Sequence, residues 1–208
     1  MRKSVNVIIL ALLLMALSAI PSAAQQSTAD KTTLDNLQAA FNGEGNAHVR
    51  YLAFAVKADQ EGYGEVAGLF RAAARAERVH ANNHALEIKK LGGTPNAKNE
   101  APVVKSTRDN LEAAIKGETY ERDVMYPEFY KQARATGHTD AVKTFNLARN
   151  AEADHAMLFT DAYDNLAKMR GKGRTYYVCS VCGYTTKDPD FAKCHSCYSP
   201  KEKFEQVS

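Results

Sequence analysis

One pattern constrains this chain more than any other: its helical part occurs twice. Gly62, Phe70, Glu77 and His80 recur as Gly137, Phe145, Glu152 and His155, each pair 75 positions apart. Gly43-Glu44 recurs as Gly117-Glu118 at an offset of 74. Helical bundles are all loosely self-similar, but a fixed offset that carries the same glycine, aromatic ring, acid and imidazole is more specific than that. A duplicated pair of helices predicts a four-helix bundle with pseudo-two-fold symmetry.

Periodicity and chain breakers place the helices. After a polar stretch from Gln25 to Thr33, the first runs from about Leu34 to Glu61, with Leu34, Leu37, Phe41, Val49, Leu52 and Val56 as its apolar stripe. Gly62 and Gly64 end it. The second runs from about Glu65 to Leu91 and stops at Gly92-Gly93 and Pro95. Asn96 to Lys105 reads as a linker. The third runs from about Ser106 to Thr136, with Ser106 and Thr107 as candidate caps and Pro127 as a kink. The fourth runs from about Asp140 to Met169. Gly171 and Gly173 mark a joint, and short β-like runs rich in Tyr, Cys, Lys and Pro follow. The expected fold is mostly α, with a bundle over residues 33–170 and a small β module over 174–205.

The N-terminus has a secretory pattern. Arg2 and Lys3 precede an apolar run from Val5 to Ile20, and Ser22-Ala23-Ala24 supplies small residues for cleavage after Ala24. That run falls short of the roughly 20 residues that span a bilayer. Residues 1–24 are therefore expected to be a cleaved signal peptide, and the mature chain periplasmic or secreted with no membrane attachment. Of the formal net charge of +3, Arg2 and Lys3 carry two, and no basic run is interleaved with aromatics. A nucleic-acid partner is excluded on that ground.

The repeat carries metal-binding chemistry. Both halves hold Glu-x-x-His, as Glu77/His80 and Glu152/His155, and residues at i and i+3 share a helix face. The partner helices add Glu44 in one half, and Glu118 and Glu121 in the other. Unpaired carboxylates on core-facing stripes are costly unless cations compensate them. One Glu from each of two helices plus Glu-x-x-His from each of the others is the bundle-core di-metal plan, with Glu121 as an extra. Carboxylate and imidazole donors suit iron or manganese. Tyr51 and Tyr126, seven and eight residues after Glu44 and Glu118, can hydrogen-bond ligand carboxylates. The extra carboxylate makes the site asymmetric: His80 can serve one metal in the reduced state and Glu121 replace it in the oxidised state. His84 matches Phe159 in the repeat, so a non-ligand role is expected. His48 and His138 read as surface residues, and Met125, Met157 and Met169 as packing.

All four cysteines lie near the C-terminus, as Cys179-x-x-Cys182 and Cys194-x-x-Cys197. Paired C-x-x-C hairpins predict a tetrahedral four-thiolate site. Zinc, two disulfides and iron are the alternatives, and the redox centre upstream favours iron.

The chain resembles the rubrerythrins from about Thr33 to Phe204. The likeness rests on Gly43-Glu44 through Tyr51, Glu77-x-x-His80-Ala81, Gly117-Glu118-Thr119-Tyr120-Glu121, Met125-Tyr126-Pro127-Glu128-Phe129, Glu152-x-x-His155-Ala156, and Tyr177-Val178-Cys179-x-x-Cys182-Gly183-Tyr184. The resemblance implies a ferritin-like bundle fused to a rubredoxin-like module, with a di-iron centre and one further iron at the cysteines. It implies reduction of hydrogen peroxide to water by electrons entering through the cysteine site, in oxidative stress defence. It implies the same His80/Glu121 exchange, which with Tyr51 and Tyr126 makes these the catalytic candidates. It also implies a head-to-tail homodimer in which one subunit's cysteine site serves the other's di-iron site. Two departures stand out. His195 and Tyr198 replace the proline and glycine usual in the second hairpin, and the signal peptide leaves the electron donor unidentified. The competing readings are a ferroxidase and an iron-binding protein whose helices only scaffold.

Overall fold

The protein is described by a computed structural model over residues 23–208. The predicted signal segment, up to Ser22, lies outside the described residues. Five helices form the bundle: α1 (Ala23–Gln60), α2 (Gly64–Lys90), α3 (Thr107–Tyr120), α4 (Tyr126–Ala135) and α5 (Thr139–Asp164). A π-helical turn, Glu121–Met125, joins α3 to α4, so the two act as one bent rod and the bundle has four. Gly62 and Gly137 close matching turns at φ +80° and +79°, where an L side chain is strained. That is why the repeat carries glycine there.

Helix α1 starts earlier than expected. No glycine or proline interrupts residues 23–42, so the polar stretch before Leu34 is helical. Its apolar stripe also differs. The buried seam is Leu37, Ala40, Glu44, Ala47, Tyr51, Phe54 and Ala58, in alternating steps of three and four, while Val49, Leu52 and Val56 are exposed. A reading by bulky apolar residues passes over a seam built partly from alanine and glutamate.

The π turn accounts for the drift in the repeat offset from 74 to 75. Glu44 to Tyr51 is seven residues and Glu118 to Tyr126 is eight. The extra residue is taken up where five residues wind with i→i+5 bonds. Pro127 follows at the start of α4, where its missing N–H costs least. Ser106 caps α3 by accepting from Asp109 N at 3.2 Å. The linker before it is held in place. Gln38, Asn42 and Asn46, one turn apart on α1, bond the backbone of Asn96, Lys98 and Glu100. One helical turn nearly matches two extended residues, so the register is kept.

Beyond Gly171 a three-stranded antiparallel sheet has order β2-β1-β3, from β1 (Tyr176–Cys179), β2 (Thr185–Thr186) and β3 (Phe204–Val207). It docks on α2 and α5. Tyr176 and Val178 join the aromatic core of Tyr51, Phe54, Phe70 and Phe159. Asn83 donates to Val181 O at 3.0 Å, Arg75 pairs with Glu205, and Lys187 pairs with Asp161. Met169 is buried and Met125 packs against the core, but Met157 is exposed on α5. His138 is not a free surface residue either: it bonds Asp30 at 2.7 Å and Thr136 at 2.8 Å. His48 bonds Ala74 O at 2.6 Å from a half-buried position.

Candidate metal centres

Two clusters form side by side between the helices. Glu44, Glu77, His80 and Glu152 make one; Glu77, Glu118, Glu152 and His155 make the other. Glu77 and Glu152 belong to both. Every one of these residues is buried. The i, i+3 spacing on α2 and α5 sets each imidazole beside its own glutamate: His80 Nδ1 lies 2.9 Å from Glu77 Oε2, and His155 Nδ1 lies 2.9 Å from Glu152 Oε2.

The donor set fits two metal ions. Six buried polar atoms converge here without a well-directed hydrogen bond: Glu44 Oε2, Glu77 Oε1, Glu118 Oε2, both Glu152 oxygens and His155 Nδ1. Orphaned buried carboxylate oxygens are costly, and a pair of dications removes the cost. Charge balance agrees. Burial, with Glu152 and Glu77 adding to it, pushes Glu44 up to about 8. Burial and neighbouring carboxylates push Glu118 and Glu121 well up too. Burial opposes ionisation of Glu77 and Glu152 as well, yet the imidazoles pull both down. Burial likewise opposes charge on His80 and His155, and the glutamates outweigh it and raise both.

The signs give a prediction for the metal-free protein. Glu44, His80 and His155 all have folded pKa values above their unfolded ones. Their contribution to stability is therefore complete at low pH and is lost as pH rises through the folded values. Metal-stripped protein should melt at progressively lower temperature from about pH 5 to about pH 8, and metal-loaded protein should not. Parallel melting curves for the two forms would contradict this.

The tyrosines cross between halves. Tyr51 donates to Glu118 Oε1, and Tyr126 donates to Glu44 Oε1. Glu121 stands apart from both clusters. It lies on the π turn, with Oε1 close to Gly43 of α1. His84 is in neither cluster and its ring meets Tyr126 instead.

The outer nitrogens of both imidazoles are held by the β module, through contacts that the sequence did not signal. His80 Nε2 lies 3.0 Å from the carbonyl of Cys182, and His155 Nε2 lies 3.1 Å from Thr185 Oγ1. Gly183 permits the approach: a Cβ there would collide with the His80 ring, and its φ is +80°. Within the chain, its own module reaches both imidazoles at this place.

The four cysteines are free thiols with all four sulfurs within 4.8 Å of one another. Cys179 and Cys197 sulfurs are 3.7 Å apart, and Cys182 and Cys194 sulfurs 3.6 Å. A disulfide needs about 2.05 Å. A tetrahedron with metal–sulfur bonds of about 2.3 Å has edges of about 3.8 Å, so the cage fits one ion. The Cys182 thiol and the N–H groups of Val181 and Cys182 turn toward Cys179 and bring its pKa down to about 5. Burial raises Cys194 to about 11, against the N–H groups of Cys197 and Ser196. In the second hairpin Tyr198 takes φ 59°, a conformation that favours the glycine it replaces, and the His195 ring packs tilted against Phe191 with centroids 4.6 Å apart.

Residues 35–163 match the family model described as rubrerythrin. The chain is 38% identical to nigerythrin of Nitratidesulfovibrio vulgaris over 182 residues, 87% of this chain and 89% of that one. It is 37% identical to rubrerythrin-2 of Clostridium acetobutylicum over 185 residues, 86% of this chain and 98% of that one. The fold matches the structure of nigerythrin in its fully reduced, all-ferrous state with a TM-score of 0.77 at 33% identity, covering 94% of this chain and 91% of that one.

Proposed function

This chain belongs to the rubrerythrin family, as a di-iron protein with a rubredoxin-like iron site, and we propose that it is a peroxidase reducing hydrogen peroxide to water in oxidative stress defence. The observation that carries the proposal is the contact from His80 Nε2 to the carbonyl of Cys182. It joins a cluster imidazole to a residue of the thiolate cage, a link that an iron-oxidising bundle does not need.

When bound, the two irons supply one electron each to the O–O bond, so peroxide is reduced by a pair and one-electron radicals are avoided. In this reading Glu44 would help hold one metal and Glu118 the other, and Glu77 and Glu152 belong to both clusters. His80 and His155 present Nδ1 inward, and the module holds Nε2, which fixes ring orientation. Tyr51 and Tyr126 hold Glu118 and Glu44 by donating to them. Phe54, Phe70 and Phe159 close around Tyr51 and keep water from that side. His80 would help hold one metal, and Glu121 would be its alternative as ligand, its anionic oxygen suiting a ferric ion better than an imidazole does. What supports the reading is the place of Glu121 on the π turn beside Gly43, outside both clusters. The Cys182 carbonyl and the His80 ring would link the cysteine site to the bundle cluster for electrons that a separate donor supplies. Residues 33–170 act as the bundle and 174–205 as the relay. Peroxide added anaerobically to reduced, iron-loaded protein should be consumed with about two ferrous ions oxidised per molecule; no consumption would end the peroxidase reading.

The proposal includes export and a homodimer. Exposed Val49, Leu52 and Val56 on α1 are apolar surface for a second copy to cover. Native mass spectrometry of protein from its own host should show a dimer whose chains begin at Gln25. Retained Met1 would remove the export step, and monomers alone would remove the dimer.

A further inference from the structure

The thiolate cage has a closed side and an open side. Cys179, Cys182 and Cys194 have no exposure, and the carbonyl of Cys182 faces His80 of the bundle. Cys197 alone of the four is half-buried. Its chain neighbour Tyr198 is 75% exposed and holds φ 59°, the left-handed region that glycine enters freely and a tyrosine does not. The backbone needs that conformation, since Tyr198 N donates to Cys194 O at 3.0 Å and closes the hairpin. The side chain does not. Among the described residues no ring packs against Tyr198 and nothing bonds its hydroxyl, whereas Tyr184, Phe191, His195 and Phe204 pack on one another. A tyrosine here strains the backbone and gains no packing, so folding does not account for it.

Beside the ring lies a hollow of about 430 Å³ between the second hairpin and α5, lined by Asn150, Asp154, Tyr184, His195 and Ser196 as well as Tyr198. Its lining holds one carboxylate, Asp154, and no lysine or arginine. Tyr198 therefore stands on the rim of this hollow, next to the one cysteine that solvent approaches. The bundle lies at the other hairpin, against Cys182.

We propose that Tyr198 is the point at which electrons enter the protein, by stacking on the exposed haem edge of a small carrier protein that has basic residues around that edge. The inference rests on the reading of the cysteine site as the electron relay. A flat conjugated edge packs well on a tyrosine face, and basic residues complement the hollow. One electron is exchanged at each encounter: ferrous haem becomes ferric, the ferric cysteine site becomes ferrous, and no bond or proton changes place. On the export reading a haem carrier fits better than a flavoprotein, because reduced nicotinamide is confined to the cytoplasm. The electron enters at Cys197 and leaves at Cys182, so the two hairpins have different tasks.

Two variants separate entry from structure. Glycine takes φ 59° without strain, so Tyr198→Gly should keep its cysteine iron and its thiolate-to-iron absorption, and should melt no lower than wild type. Electron exchange between the cysteine iron and a basic single-haem cytochrome, followed at the haem band after rapid mixing in either direction, should nonetheless slow at least about tenfold. Tyr198→Phe keeps the ring and should exchange at the wild-type rate. Dithionite needs no docking and should reduce the cysteine iron equally fast in all three proteins. Wild-type exchange with the cytochrome in Tyr198→Gly would overturn the proposal, and so would faster exchange with an acidic flavodoxin. A second readout needs no electron. In zinc-loaded protein, NMR titration with the ferric cytochrome should shift the signals of Tyr198, His195 and Asn150. The Kd should weaken at least about tenfold in Tyr198→Gly, and it should also weaken with added salt. Shifts confined to other surfaces would overturn the docking. If exchange depends on Tyr198 but wild type reduces no peroxide, the entry point stands and the peroxidase reading falls.

Discussion

Glu118→Ala is expected to empty the metal position beside His155 and to lower peroxide turnover at least about a thousandfold, some 4 kcal/mol of barrier. Glu118 is fully buried and uses both oxygens: Oε1 accepts from Tyr51, and Oε2 points unpartnered into the cluster with Glu77, Glu152 and His155. Alanine removes one of four donors there and leaves the Tyr51 hydroxyl buried without its acceptor. The helix itself tolerates alanine well, so the loss is local. Glu121→Ala should behave differently, because Glu121 lies outside both clusters. It should keep most bundle iron and slow turnover at least about tenfold, near 1.4 kcal/mol. Iron analysis and rapid mixing on both variants decide the matter. Full iron in Glu118→Ala would refute its assignment, and unchanged turnover in Glu121→Ala would remove that residue from the mechanism.

The second large effect is on the relay. Cys179→Ser and Cys197→Ser should each abolish the visible thiolate-to-iron absorption and leave bundle iron in place. Continuous turnover should fall at least about a hundredfold, equivalent to near 2.7 kcal/mol, because re-reduction fails. A single oxidation of pre-reduced bundle iron should proceed at its normal rate, since Cys182 keeps its carbonyl beside His80. Continuous turnover at the wild-type rate would show that electrons reach the bundle by another route. Four cysteines paired as disulfides in native protein would end the relay reading outright.

What could be read in the sequence was whatever has a fixed spacing. Glu77/His80 and Glu152/His155 share helix faces by arithmetic, and the repeat sets the two pairs opposite each other; the structure brings all four into adjoining clusters. The C-x-x-C hairpins are legible for the same reason. Contacts between elements carry no spacing rule. That Tyr51 serves Glu118 and Tyr126 serves Glu44 depends on how the halves cross. That the carbonyl of Cys182 reaches His80 depends on how the module docks, and a backbone atom leaves no trace in residue identity. The outward turn of Val49, Leu52 and Val56 was hidden because alanine can line a seam as well as leucine where helices lie close. The π turn lies between. Its extra residue is visible as seven positions against eight, but only the backbone shows where the slack is taken up.

The central claim is that reduced bundle iron is built for peroxide and is re-reduced through the cysteine site of the same protein. It is tested most directly by reducing the fully loaded protein anaerobically and mixing it rapidly, in separate runs, with peroxide and with oxygen, while following both iron centres. The account predicts that peroxide oxidises the bundle iron at least about tenfold faster than oxygen does, with the cysteine iron oxidised afterwards as it refills the pair. Faster oxidation by oxygen, with the cysteine iron left reduced, would contradict it and favour an iron-oxidising role.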